Sequence, residues 1–368
     1  MPARSVWTPL AILVISVAPA TALADKVRIG HGSDPGVAVD STGTAHVAYN
    51  GEFASEVGEP LMYCSWPRGA RGCAPRPIVT DGEAPSSQPA LVRAGPASGE
   101  VAIVSARDEL QVVRSADGGA TFGPPAAIGT GRYFDGAFGP GDQLALSIRN
   151  LGFVEYYHRS LAGPPDANGQ VNLNQGHAIA SEVGFADGRP VLVSGARVPR
   201  LAVSSWTGLG DVHDPATWAG PFEIARSNYF ALASGPSGLF LAHEVSAGGV
   251  EDRMVVRRFE GERFGRARRV PAGRLGRPGV IGVALAQDPK GRLVAAWYSS
   301  PRNRIEVSAS RTGRRWTPAR VLAGRTNLPG DIEIGLGPDG RGLVVWDANT
   351  GNSVRAIRVS ARALLRGR

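Results

Sequence analysis

Of 368 residues, 43% are hydrophobic and 20% charged, and 40 Lys and Arg stand against 32 Asp and Glu for a formal net charge of +8. That apolar share excludes an intrinsically disordered chain, and no run beyond residue 24 approaches the roughly 20 continuous apolar residues of a spanning helix, so no transmembrane segment is expected. The positive balance, carried by arginine apart from Lys26 and Lys290, favours anionic partners such as acidic carbohydrate or a cell-surface polymer. It equally fits an arginine-rich genome.

The chain opens with Arg4, an apolar stretch from Trp7 to Val17 and the small-residue pattern Ala22-Leu23-Ala24. Together these read as a signal peptide over 1–24, cut before Asp25. Export to the extracellular space or the periplasm follows, with residues 25–368 as one domain. Lys26-Val27-Arg28-Ile29-Gly30 is a short strand. After it a single pattern recurs: apolar strand, turn with glycine, second apolar strand. Copies begin at Gly36-Val37-Ala38-Val39, Pro89-Ala90-Leu91-Val92, Asp135-Gly136-Ala137-Phe138 and Glu182-Val183-Gly184-Phe185. Three more begin at Phe230-Ala231-Leu232-Ala233, Ile281-Gly282-Val283-Ala284 and Ile332-Glu333-Ile334-Gly335. Their turn glycines, Gly43, Gly99, Gly141, Gly188, Gly238, Gly291 and Gly340, stand 56, 42, 47, 50, 53 and 49 residues apart. That spacing is the length of one four-stranded propeller blade.

Third strands follow at Leu61 to Trp66, Leu110 to Arg114, Leu201 to Trp206, Met254 to Phe259 and Ile305 to Ser310, and short fourth strands at Pro77 to Val79, Ala126 to Ile128, Phe222 to Ile224, Arg269-Val270 and Arg320 to Leu322. Val171-Asn172-Leu173 is the weakest fourth strand. Cys64 and Cys73 lie close together in an exported chain and predict one local disulfide, not a metal pair or a redox motif. The last copy ends with its third strand, Ser353 to Ser360, and lacks a fourth, which strand 26–30 can supply. The expectation is an all-β fold, a seven-bladed β-propeller of four-stranded antiparallel blades, closed by the N-terminal strand completing the last blade.

Ser115-Ala116-Asp117-Gly118-Gly119-Ala120-Thr121-Phe122 resembles the Asp-box, the bacterial neuraminidase repeat S-x-D-x-G-x-T-W, with Phe in place of Trp. Ser310-Arg311-Thr312-Gly313-Arg314-Arg315-Trp316 is a degenerate second copy, without the aspartate and one residue shorter. The resemblance is to the sialidase-like propeller superfamily, and it implies a structural turn between third and fourth strands, on the face away from any site. A sialidase proper would imply six blades, an R-I-P arginine, two further arginines on the substrate carboxylate, a Tyr-Glu nucleophilic pair and an aspartate acid/base. Here Arg28-Ile29-Gly30 lacks the proline and lies on the closing strand, and seven copies are present, so the sequence departs from that pattern.

Chain direction then puts the second-to-third loops and the crossing loops on the ligand face. Arg107 and Asp108, Arg149 and Asn150, and Arg197 fall at matching points of three successive blades. Guanidinium forks suit carboxylate or sulfate groups, although each arginine could instead pair with a neighbour such as Asp108 or Glu182. His177, Tyr229, Glu244, Tyr298, Asp331 and Asp347 complete the expected ligand-binding set, with His31, Asp34, Tyr49, Asn50, Tyr133, Asp135, Glu182, His243, Arg277, Trp297 and Glu333 on the same face. Asp331 and Glu333 could act as an acid/base pair, but residues two apart share one side of any strand. His177 or His243 with Tyr229 would suit a lyase. Trp206, Trp297, Trp316 and Trp346 recur at strand ends, as core packing would require. His213-Asp214 and Asp166-Ala167-Asn168-Gly169 have no metal-ligand spacing, so neither a metal nor a cofactor is expected. Nucleic acid is not an expected partner, and the chain reads as a monomer. The leading function is binding of an anionic glycan without catalysis. A carbohydrate-active hydrolase or lyase and a protein-interaction scaffold remain open, and no catalytic residue is assigned.

Overall fold

The structure, a computed structural model, describes residues 26–366 apart from 53–58, 80–89, 96–98, 107–108, 130–132, 142, 151–152, 161–168, 174–177, 197–199, 247–251, 272–279, 325, 327–328 and 349–352. The expected signal peptide lies outside the described residues, as do Arg107, Asp108, Asp166, His177, Arg197 and Arg277.

The fold is all-β. Consecutive strands make five antiparallel sheets, over 91–129, 133–172, 178–226, 230–269 and 280–323. A sixth sheet joins the two ends of the described chain. It runs Ile332–Leu336, Arg341–Ala348, Ser353–Ser360 and then β1 (Val27–Val39), β2 (Ala45–Gly51), β3 (Leu61–Trp66) and β4 (Arg76–Val79). Strand β1 changes partner midway: Val27 to His31 pair with Ala356 to Ser353, and Gly32 to Val39 pair with β2. The switch needs a residue without a side chain at Gly32, whose φ is 148° and where a Cβ would collide with the Asn50 carbonyl.

The first strand of each repeat touches the next in succession, from β1 through Leu91–Ala94, Tyr133–Phe138, Ala178–Ala186, Phe230–Ala233, Val280–Gln287 and Ile332–Leu336 back to β1. Apolar clusters fill the spaces between neighbouring sheets, one joining 102–128 to 134–148 and another joining 284–323 to 332–365. A sheet covered on both faces needs apolar residues at successive positions, and β2 and Leu293–Ser299 are accordingly buried along their whole length. Trp297 and Trp346 are fully buried and Trp316 nearly so, in keeping with core packing.

All seven turn glycines identified from the repeat have φ between 66° and 114°. The Ser115–Phe122 turn is held from within: Ser115 Oγ accepts from Gly119 N at 2.8 Å, and Asp117 Oδ1 accepts from Thr121 N at 2.9 Å. Phe122 then packs edge-on against Tyr63 of the preceding sheet, 4.8 Å between centroids. In the second turn Ser310 Oγ accepts from Gly313 N at 2.9 Å and Trp316 Nε1 donates to Gly313 O at 3.1 Å. Cys64 and Cys73 form a disulfide with Cα atoms 5.8 Å apart.

Three elements differ from the sequence reading. The strand at 26–30 is continuous with the first inner strand. The sheet 230–269 ends in two pairs of two residues, Arg263–Phe264 and Arg268–Arg269, on strand Asp252–Glu260. A helix, α1 (Ala361–Arg366), follows the last strand and buries Ala361, Leu364 and Leu365.

Candidate functional site

The seven first strands enclose a cavity of about 210 Å³ to which each contributes, Gly36 and Val37 from β1 and Glu333 from the last. A second cavity of about 270 Å³ adjoins it and shares Glu182, Val283 and Glu333. Asn228, Tyr229, Phe230, Gly330 and Asp331 line this outer space. Tyr229 and Asp331 directly precede the first strands of their repeats, so the cavity opens at the crossing-loop end, the face expected to carry a ligand.

Carboxylates dominate the described polar groups of this passage. Asp135 Oδ2 accepts from Val183 N at 3.1 Å, and Glu182 Oε2 from Leu232 N at 2.6 Å, so each carboxylate ties its own sheet to the next. Enclosure raises the proton affinity of Glu182 well above its usual value, and the charge of Asp135 adds to this. Glu333 is pushed up to about 8, first by its surroundings and then by the charges of Asp135 and Asp331. Its side chain is exposed to the open space of the channel that it lines. Near neutral pH the set therefore retains a proton, and it presents both acceptors and a donor to a hydroxyl-bearing ligand.

Of the residues expected to bind ligand, Tyr229 and Asp331 line the outer cavity. Asp347 stands behind them: its Oδ1 accepts from Gly330 N at 2.6 Å and Asp331 N at 2.8 Å, fixing that loop. Burial raises the proton affinity of Asp347, and the charge of Asp34 adds to the rise. Glu244 is buried, and its backbone N–H donates to Tyr229 O at 3.2 Å, so it supports the Tyr229 turn. Tyr298 is buried and donates to Asn303 Oδ1 at 2.9 Å, a contact within its own sheet and outside both cavities. Arg149 and Asn150 end strand Gln143–Asn150 at the same end, where Arg149 pairs with Tyr133. His243 is fully buried, with Nδ1 2.9 Å from Glu244 O and Nε2 accepting from Arg257 Nε at 3.1 Å, so it lines neither cavity. His31 is exposed, 3.7 Å from Glu52. Among the described residues, no group of three or more His, Cys, Asp or Glu is arranged to hold a metal ion.

The sequence places Asp135, Glu182 and Glu333 on the ligand face and leaves them out of the expected binding set, although they form the centre of the cavities. Their signal is visible on inspection: each is a carboxylate set in an otherwise apolar inner strand.

Scanned against known protein families the sequence matches none, and a search of curated proteins finds no match. Solved structures do match. A lectin from Burkholderia pseudomallei is similar with a TM-score of 0.63 at 11% identity, over 90% of this chain and 97% of that one. The β-propeller domain of Cps50 from Myceliophteria thermophila gives 0.54 at 12%, over 91% and 98%. The sialidase of Trypanosoma rangeli gives 0.50 at 10%, over 92% of this chain and 56% of that chain. At these identities the likeness is one of fold alone, and that fold is a β-propeller.

Proposed function

We propose that this protein is an exported, monomeric, seven-bladed Asp-box propeller that binds a carbohydrate at the mouth of its central channel without cleaving it. The observation that carries the reading is the outer cavity, which Tyr229 lines together with Glu182, Asp331 and Glu333. An aromatic side chain beside hydrogen-bonding carboxylates suits a sugar, which offers apolar C–H faces and a rim of hydroxyls. The partner switch within β1 supports a ring closed by the N-terminal strand, and the internally bonded Ser115–Phe122 turn supports the Asp-box assignment. The lectin and sialidase among the similar folds point to carbohydrate as the ligand class. The net charge of +8 and the matching repeat positions of Arg107, Arg149 and Arg197 in the sequence favour an acidic glycan. Its hydroxyls would then face the carboxylates and its acidic groups the arginines.

A second reading, a glycoside hydrolase, is favoured by one observation, the raised proton affinity of Glu333, which would suit a proton donor to a glycosidic oxygen. Glycan-array binding by the purified protein, with Arg149→Ala and Asp331→Asn alongside, separates the two. Selective binding to acidic glycans, weakened about tenfold or more by either variant, is the expected result. Binding of neutral glycans that ignores Arg149→Ala removes the acidic preference, and shortening of the bound glycan turns the reading to hydrolysis.

A further inference from the structure

At the opposite ends of the same strands, beside the turns at Gly43 and Gly340, a cavity of about 430 Å³ opens where the first, sixth and seventh repeats meet. It shares no residue with the channel cavities. Trp66, Leu322, Leu343, Val359 and Leu364 give it an apolar floor. Its volume falls within the range of about 300–1,000 Å³ typical of cavities that enclose small organic molecules.

The rim is cationic. Arg68, Arg320, Arg341 and Arg358 line it against one carboxylate, Asp339. That carboxylate is shared, 3.0 Å from Arg68 Nη2 and 3.6 Å from Arg341 Nε, and both arginines are more than half exposed. Arg358 lies over the Trp66 ring, 5.4 Å from its centroid, and donates to the carbonyls of Pro67 and Ala70. Burial, and then the charge of Arg341, lower its proton affinity, which is the mark of crowded like charges in a partly desolvated place. An apolar hollow under an excess of guanidinium groups complements a molecule of the opposite layout.

We propose that this groove binds a small, soluble amphipathic anion, with its apolar body on the floor beside Leu364 and a single carboxylate or sulfonate head on the exposed guanidinium of Arg341, beyond the carboxylate of Asp339. The walls come from both ends of the described chain, so an occupant would brace the junction between them. Thermal stability should then rise with ligand concentration, because only the folded state forms the groove.

Calorimetric titration of the purified protein with decanoate, decanol and acetate tests this. Decanoate is expected to bind one site, decanol about tenfold or more weakly, and acetate not at all. Arg341→Gln, at an exposed position, should weaken decanoate about tenfold while sparing decanol. Ala363→Trp, at an exposed lining position on α1, should fill the groove and abolish both. Asp331→Asn should leave decanoate binding unchanged, so failure at the channel mouth and failure here are told apart. Decanol binding as tightly as decanoate, or decanoate binding untouched by Ala363→Trp in a variant that melts like the parent, would overturn the proposal. Co-sedimentation with phosphatidylglycerol vesicles that Ala363→Trp removes would also overturn it, by making the ligand a lipid surface.

Discussion

At the scale of single residues, His243 and Glu333 titrate in opposite senses. Burial lowers His243 from 6.5 to about 4, so its neutral form belongs to the folded state. Unfolded chains bind its proton first as pH falls, and the stability it contributes is full above about pH 6.5 and lost progressively towards pH 4. Glu333 is raised from 4.5 to about 8, so the folded state keeps a proton the unfolded state has released. Its contribution is full below pH 4.5 and lost as pH rises through 8. Glu333→Gln removes that alkaline loss and relieves Glu182 of a neighbouring charge. The variant should exceed the parent in stability by about 1 kcal/mol at alkaline pH, after screening by channel water, and lose this advantage in acid. Melting temperatures across that range decide the matter, and identical curves at every pH would place the proton elsewhere. The positions of these carboxylates were legible in the sequence, as charges interrupting apolar strands. Their titration was not, because it depends on Asp135, Glu182, Asp331 and Glu333 meeting across sheets far apart in the chain.

Among elements, the turns were the most legible part, since a hairpin that demands positive φ selects glycine and leaves a mark at every repeat. The aspartates beside them explain why the turns are so regular. Asp40 Oδ1 accepts from Thr42 N and Thr44 N, and Asp288 Oδ1 from Lys290 N and Arg292 N, each at 2.9 Å. Helix α1 escaped the sequence reading because six residues carry too little periodicity to register, and so short a helix has no stability of its own. It is held by packing. Ala361, Leu364 and Leu365 face inward at helical spacing, and Ala361 N donates to Gly340 O at 2.8 Å. Leu365→Ala should therefore cost about 2–3 kcal/mol in urea unfolding, as for a buried leucine near the surface. A loss below about 0.5 kcal/mol, the ordinary scatter of surface substitutions, would show that the helix merely rests on the sheets.

For the molecule as a whole, the two ends of the described chain share one sheet, and β1 is the element common to both. The need for an N-terminal strand was legible by counting, since the last repeat lacked a fourth strand and residues 26–30 preceded the first. That this strand would run unbroken into the first inner strand was not, because the turn in direction rests on Gly32 and on contacts with β2 that no local pattern announces. Gly30 tests how much stability the arrangement carries. A Cβ there would collide with the hydroxyl of Tyr49, a fully buried side chain in the cluster that unites β1, β2 and strand Ser353–Ser360. Gly30→Val must therefore push β1 off either its first-repeat or its last-repeat neighbours, and overpacking of this kind costs about 1–3 kcal/mol or more. Gly72→Val is the matched control, because a Cβ there meets only Val27 at an ordinary 3.6 Å. Urea unfolding should show Gly30→Val destabilised by at least about 2 kcal/mol and Gly72→Val within about 0.5 kcal/mol of the parent. If the junction is what makes the sheets unfold together, the Gly30 variant should also broaden the transition, because sheets released from a common junction lose their shared cooperativity. A lower midpoint with an unchanged slope would mean that β1 stabilises the sheet it shares with both ends without being the element that couples the others to it.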